Sequence, residues 1–82
     1  MTITLLSKPA CVQCTATKRN LDSNSLEHET DDIYAHMDII AELGYMSAPV
    51  VLVKDADGTL VDHWSGFRPD KIEALASEVK AA

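Results

Sequence analysis

The sequence predicts an α/β fold with the element order βαβαββα, in which a four-stranded mixed sheet is flanked by three helices. Three observations support this prediction. A short apolar run at residues 2–6 precedes the only two cysteines, a helical repeat follows a second short strand, and the β-branched run 50–53 is joined by a tight turn to a returning strand. Strands joined through a helix pair in parallel and strands joined by a tight turn pair antiparallel, so the sheet is mixed.

The first two elements place the cysteines at the start of a helix. Residues 2–6 are rich in β-formers and end at Ser7-Lys8-Pro9, which indicates a loop. From Cys11 to about Asp22 the residues tolerate a helix, and a polar exit follows. Cys11 and Cys14 are three positions apart, so they share one face of the first turn and lie within reach of a disulfide.

The next two elements are an edge strand and the helix with the clearest repeat. Residues 26–31 alternate with a period of two, which predicts a strand with one solvated face, and its acidic side chains suit a sheet edge. Asp32 is predicted to cap helix 2 and Gly44 to end it. The apolar stripe of this helix comprises Ile33, Met37, Ile40 and Ala41. We expect Met37 in the core and His36 on the exposed side.

A hairpin and a third helix complete the fold. Residues 50–53 do not alternate, which predicts a central strand buried on both faces. The turn Asp55-Ala56-Asp57-Gly58 then returns the chain in a strand that ends at Trp64. Pro69 suits the first position of helix 3. The apolar stripe of helix 3 comprises Ile72, Leu75, Ala76 and Val79.

Length and composition predict one small cytoplasmic domain. The 82 residues form a single domain, and the net charge of −6 repels phosphate backbones, so nucleic acid is not an expected partner. Residues 1–8 lack a basic region and a long apolar run, so we expect no signal peptide and no membrane span. In a reducing cytoplasm a Cys-x-x-Cys pair is catalytic rather than structural. We expect the protein to be a monomer.

The segment Cys11-Val12-Gln13-Cys14 predicts thiol–disulfide exchange. The unpaired N–H groups and the positive dipole end at a helix start favour a thiolate on Cys11 over a neutral thiol. Cys14 lies one turn inside the helix and is better shielded, so it reacts with what Cys11 has captured. Cys11 is therefore the predicted nucleophile and Cys14 the predicted resolving thiol.

Two interpretations from other classes stay open. One is a metal-binding module, with zinc or with an iron–sulfur cluster bridged between two copies through Cys11. The three histidines fit a zinc site poorly, because His28 and His36 are separated by seven residues and His63 lies far downstream. The other is a scaffolding module, in which Cys11→Ser would keep partner binding and activity.

Three motifs are informative together: Cys11-Val12-Gln13-Cys14, Ala48-Pro49-Val50-Val51 and Trp64-Ser65-Gly66-Phe67-Arg68-Pro69-Asp70. They resemble the motifs of the NrdH-redoxins, which are glutaredoxin-like proteins of the thioredoxin superfamily, and the last motif is the most specific. The resemblance implies the minimal thioredoxin/glutaredoxin fold over residues 1–82. It implies an electron donor to class Ib ribonucleotide reductase, docking on its large subunit. It also implies re-reduction by NADPH through thioredoxin reductase. We expect no tightly bound cofactor and no metal.

The alternative within the same superfamily is a glutathione-dependent glutaredoxin. Val12-Gln13 replaces the Pro-Tyr that is usual in glutathione-using glutaredoxins, and residues 64–70 replace the stretch that holds the charged end of glutathione. Lys8, in contrast, matches a lysine that glutaredoxins also carry before their cysteines, which leaves a weak affinity for glutathione open. These departures favour a protein reductase over glutathione as the electron source.

The resemblance also implies which residues contact partners. It implies a cis bond at Pro49, with the backbone of Ala48 pairing with an extended substrate. The segment Trp64-Ser65-Gly66-Phe67 is implied to build a surface and a hydrogen-bond network that dock the reductase, although as large aromatics alone Trp64 and Phe67 would be assigned to the core.

Four further residues complete the predicted partner site. Arg68 is either a solvated residue or meets an acidic partner surface. Lys8 either lies in a solvated loop or attracts the Cys11 thiolate, an effect of about 1 kcal/mol or less for an exposed lysine. Val12 and Gln13 lie between the cysteines, where Gln13 is free to face solvent and tunes the redox potential or the fit to partners.

Overall fold

The protein is described by a computed structural model of residues 1–81. The four strands are β1 (Thr2–Ser7), β2 (Glu29–Asp32), β3 (Val50–Lys54) and β4 (Leu60–Ser65). The three α-helices are α1 (Val12–Ser23), α2 (Met37–Glu42) and α3 (Pro69–Ala81), and a 3₁₀ helix at Ile33–His36 precedes α2. The predicted order βαβαββα is confirmed, and Pro69 is the first residue of α3 as expected. Within these residues, no helix is both long enough and apolar enough to cross a lipid bilayer.

The strands form one mixed sheet in the order β2-β1-β3-β4. β1 pairs in parallel with β2 and antiparallel with β3, and β3 pairs antiparallel with β4. The carboxyl ends of β1, β2 and β4 and the amino end of β3 therefore lie together at the same end of the sheet. The loops that leave these ends are consequently neighbours, and one of them leads to Cys11.

Two apolar clusters cover the two faces of the sheet. The first comprises Ile3, Leu5, Leu21, Leu26, Val51, Val53, Trp64, Ile72, Leu75 and Ala76. The second comprises Leu6, Ile33, Ile40, Val50 and Leu52. Because successive residues of a strand point to opposite faces, β3 supplies both clusters and is buried on both sides, as predicted.

The second helix differs from the prediction. The Asp32 carboxylate accepts the Tyr34 N–H at 3.0 Å and caps the helix as expected, but the first turn is 3₁₀ and the α-helix begins only at Met37. Because a 3₁₀ turn has about three residues, the i, i+4 spacing does not keep Ile33 and Met37 on one face. Met37 is 51 % exposed, so its predicted core position is wrong, and Ala41 is exposed as well.

Two further features, strand β2 and the buried stripe of α3, are shorter than predicted. β2 comprises Glu29–Asp32, and Leu26, expected in this strand, instead donates its N–H to the Leu21 carbonyl at the exit of α1. The edge position of β2 is confirmed. In α3 the buried stripe ends at Ala76, because Val79, one turn beyond the residues packed in the first cluster, is 42 % exposed.

Candidate active site

The two cysteines lie where α1 begins. Cys11 is the N-cap residue in extended conformation, and Cys11 and Cys14 are joined by a disulfide with their Cα atoms 5.2 Å apart. The Cys14 amide donates a hydrogen bond to Cys11 Sγ at 3.1 Å. The same amide is placed to stabilise negative charge on this sulfur once the disulfide is reduced. The predicted location of Cys11 at a helix start is confirmed.

The two sulfur-bearing residues differ in accessibility. Cys11 is half-buried and borders an open groove with Lys8, whereas Cys14 is 5 % exposed. An incoming disulfide therefore reaches Cys11 first. Cys14 is shielded from solvent by comparison. The assignment of Cys11 as nucleophile and Cys14 as resolving thiol stays a prediction.

Thr17 supports the first turn of α1 from within the core. It is fully buried, and its hydroxyl donates to the Gln13 carbonyl at 2.7 Å. The sequence reasoning did not single out Thr17. The available signal was its spacing, because Thr17 falls three positions after Cys14 and four before Leu21 on the buried face of α1.

The Ala48–Pro49 peptide is cis, which confirms the conformation implied by the resemblance. Pro49 is buried, and its carbonyl accepts the Gly66 N–H at 2.9 Å. The Ser65 hydroxyl donates to the Ser47 carbonyl at 3.1 Å. These two bonds join the loop before β3 to the turn after β4.

The aromatic residues of the segment 64–67 lie in different environments. Trp64 is 3 % exposed and belongs to the first cluster, with the Lys71 ammonium 5.8 Å from its ring centroid. Trp64 thus lies in the core, as its size and aromatic character predict without the family resemblance. It does not form the exposed surface of the turn. Phe67 is 38 % exposed. Of the two, only Phe67 is exposed to solvent.

Gln13 links the cysteine segment to this turn. Its side chain is exposed, as predicted, but it is not free: Oε1 accepts the Phe67 N–H at 3.3 Å. Val12, its neighbour, has its side chain largely in solvent. The structure therefore brings Gln13 and Phe67, which are 54 positions apart, into direct contact.

The charges of Arg68 and Asp70 neutralise each other at the start of α3. Arg68 Nε and Nη2 donate to the two carboxylate oxygens of Asp70 at 3.1 and 2.8 Å. Hydrogen bonding to Arg68 lowers the pKa of Asp70 to about 2, and the same bond raises the pKa of Arg68. Arg68 is exposed to solvent, and an acidic partner would have to compete with Asp70 for its guanidinium group.

A second pocket, next to the cysteine loop, carries acidic residues that the sequence reasoning treated only as part of an edge strand. Lys8 lies with Asp31 and Asp32 around a shallow pocket. His36 Nε2 is 2.7 Å from the Asp31 carboxylate, and this hydrogen bond lowers the pKa of Asp31. Lys8, Asp31 and Asp32 thus lie beside one another next to the cysteine loop.

The histidines considered for a zinc site have other contacts. His28 Nδ1 is 2.9 Å from the Leu26 carbonyl oxygen, His36 bonds Asp31, and His63 Nδ1 is 2.7 Å from the Tyr45 hydroxyl. Among the described residues, no three His, Cys, Asp or Glu side chains are grouped to hold a metal ion.

Comparison with known proteins agrees with this geometry. Residues 3–57 match the family model of glutaredoxin. The chain is 38 % identical to the glutaredoxin-like protein NrdH of Salmonella typhimurium and 34 % identical to that of Escherichia coli, each over 100 % of this chain and 98 % of the relative. The structure of the Escherichia coli NrdH-redoxin superposes with a TM-score of 0.78 at 33 % identity, covering 92 % of this chain and 95 % of that one.

Proposed function

The chain belongs to the glutaredoxin family as a glutaredoxin-like NrdH protein, and on that premise we propose that it supplies electrons to class Ib ribonucleotide reductase. It is an oxidoreductase whose redox pair is Cys11 and Cys14. We propose that it docks on the large subunit of the ribonucleotide reductase and is re-reduced by NADPH through thioredoxin reductase. NADPH then binds only the reductase, and this chain needs no tightly bound cofactor. We place it in the cytoplasm, as a monomer.

The reaction is a two-step exchange of disulfides. The Cys11 thiolate attacks one sulfur of the target disulfide, which forms a mixed disulfide and releases the other target sulfur as a thiolate that takes a proton from water. The Cys14 thiolate then attacks Cys11 Sγ, releasing the second target thiol and leaving the Cys11–Cys14 disulfide. Two electrons pass to the target, and thioredoxin reductase returns two electrons by the reverse exchange.

The observation that carries this proposal is the asymmetry of the cysteine pair. Cys11 is accessible and its sulfur accepts the Cys14 N–H, whereas Cys14 is buried within one helical turn. An accessible thiolate can attack a disulfide in a protein surface, and a neighbouring buried thiol resolves the mixed disulfide without a second reductant.

The choice of partners is supported by the segment 64–70. It resembles the NrdH-redoxin motif, and the Escherichia coli NrdH-redoxin has a thioredoxin-like activity profile. In this chain, Arg68 is already paired with Asp70 and the Phe67 N–H with Gln13, so both groups are engaged within the chain. These contacts favour a protein partner that meets a preformed surface.

The test compares two electron sources. The oxidised protein is mixed with NADPH and thioredoxin reductase in one arm, and with NADPH, glutathione and glutathione reductase in the other, and NADPH oxidation is followed. We expect fast reduction in the first arm and little in the second, and no turnover for Cys11→Ser in either. Faster reduction by glutathione would identify a glutathione-dependent glutaredoxin instead. Activity retained in Cys11→Ser would support a scaffolding module.

The target is tested in a second assay. Purified class Ib ribonucleotide reductase is supplied with NADPH, thioredoxin reductase and this protein, and deoxyribonucleotide formation is measured. We expect formation to depend on the added protein and to stop with Cys11→Ser. Equal formation with the Cys11→Ser variant would show that the ribonucleotide reductase does not draw its electrons from this pair.

A further inference from the structure

The hydrogen bond between Gln13 and Phe67 has no role in the exchange chemistry itself. Gln13 lies between the two cysteines, and its Oε1 accepts the Phe67 N–H at 3.3 Å across 54 positions of sequence. We propose that Gln13 is a positioning residue that holds Phe67 on the docking surface, and that it thereby sets how well protein disulfides, as opposed to small disulfides, engage Cys11. This inference rests on the proposed function, because it presumes that Cys11 exchanges with disulfides in proteins.

The turn that carries Phe67 is held at its base by other contacts. The Gly66 N–H is bound by the Pro49 carbonyl, and the Ser65 hydroxyl by the Ser47 carbonyl. Both bonds come before Phe67 in the chain. Among the side chains described, Gln13 is the one that bonds the Phe67 backbone, so it restrains the exposed tip of the turn.

The conformation of Gly66 directs the next amide toward α1. Gly66 has φ +83°, a conformation that glycine adopts without a steric penalty. A β-carbon at this position would lie 3.5 Å from Gln13 Oε1, which is an ordinary contact. The requirement for glycine therefore arises from the backbone angle that orients the Phe67 N–H, and Gln13 supplies the acceptor that this N–H meets.

The backbone of Gln13 is held by contacts within α1 before any partner arrives. Its carbonyl accepts the hydroxyl of the fully buried Thr17 at 2.7 Å, and its backbone lies in the first turn of α1. A side chain on a fixed backbone can order a neighbouring loop in advance, so less conformational freedom is lost when a partner docks.

Phe67 is suited to contact a protein and not to contact a small disulfide. Phe67 is 38 % exposed, and burying exposed aromatic surface against a partner is favourable. A small uncharged disulfide needs access only to Cys11 Sγ. Loss of the Gln13 bond should therefore weaken the reaction with protein disulfides much more than the reaction with a small disulfide.

The experiment uses two substitutions at Gln13 and one control. Gln13→Met has nearly the same length but no oxygen acceptor, whereas Gln13→Glu keeps the acceptor. Asn20→Leu is the control. Asn20 lies on the same helix, and among the described side chains its amide bonds only that of Asn24. Each variant is measured with thioredoxin reductase, with insulin as a generic protein disulfide, and with hydroxyethyl disulfide. The rates for Gln13→Glu are divided by its hydroxyethyl disulfide rate, which corrects for the charge added near Cys11.

The first readout is hydrogen exchange of the Phe67 amide by NMR. We expect faster exchange in Gln13→Met and wild-type protection in Gln13→Glu and Asn20→Leu. Unchanged exchange in Gln13→Met would overturn the proposal, because the bond would then not hold the Phe67 backbone in solution.

The second readout is KM. For Gln13→Met we expect KM to rise about fivefold with thioredoxin reductase and with insulin, the effect of losing one modest hydrogen bond. The hydroxyethyl disulfide rate, which also reports any change in redox potential, should fall by much less. Equal loss with the small disulfide, or no change in KM for either protein disulfide, would overturn the proposal. If the wild type is not reduced by thioredoxin reductase, the proposed function fails, and the insulin and exchange measurements still decide the role of Gln13.

Discussion

The end of the buried stripe on α3 can be tested with two substitutions on one helix. Leu75 and Val79 are four positions apart and fall on the same face of an ideal helix. Leu75 is almost fully buried in the first cluster, whereas Val79 is 42 % exposed. We therefore compare Leu75→Ala with Val79→Ala.

The two substitutions should differ severalfold in their effect on the free energy of unfolding. Leu75→Ala removes three buried carbon groups at about 0.8 kcal/mol each and leaves a cavity, so we expect a loss of about 3 kcal/mol. Val79→Ala removes two groups that are little more than half-buried, a loss of about 0.9 kcal/mol. The higher helix propensity of alanine restores about 0.5 kcal/mol, which leaves a net loss of about 0.4 kcal/mol.

The assay is equilibrium unfolding in guanidinium chloride, followed by circular dichroism with the disulfide intact. With a slope of about 2 kcal/mol per molar, the midpoint should fall by about 1.5 M for Leu75→Ala and by about 0.2 M for Val79→Ala. A drop of more than about 0.7 M for Val79→Ala would refute the reasoning, because Val79 would then have to be packed in the core.

Two other predictions concern the active site and its rim. In Cys14→Ser the first exchange step occurs and the second does not. A stable mixed disulfide with the protein target should therefore accumulate and be visible on a non-reducing gel. Release of the target at the wild-type rate would contradict the role of Cys14. Asp70 has its pKa lowered to about 2 by Arg68, so the stability from this pair is present above the ordinary carboxyl pKa of about 4 and is lost as the pH falls toward 2. The thermal stability of Asp70→Asn should therefore lie below that of wild type at pH 5 to 7 and approach it near pH 2, and a constant difference over that range would refute the assignment.

Features set by local spacing could be predicted from the sequence. The Cys-x-x-Cys spacing after a short strand placed the redox pair at a helix start, and the unbroken β-branched run of residues 50–53 identified the central strand. Pro49 was assigned a cis bond through a family resemblance, since proline by itself favours trans. These features depend on residues that are neighbours in sequence, or on a motif that identifies the family.

Features set by contacts distant in sequence could not be predicted in the same way. A repeat of four predicted Met37 in the core, but a 3₁₀ turn before it rotates its side chain into solvent. The side-chain pattern of residues 64–67 does not predict that Trp64 lies in the core while Phe67 is exposed.

The contact between Gln13 and Phe67 belongs to the same class. The sequence by itself determined the redox pair, the order of the elements and the central strand, because each follows from residues close together in the chain. Only the tertiary structure decided which side chains meet at the end of the sheet that carries the cysteines. Gln13 reaches Phe67 only when β1, β3 and β4 have paired and the turn after β4 lies beside α1.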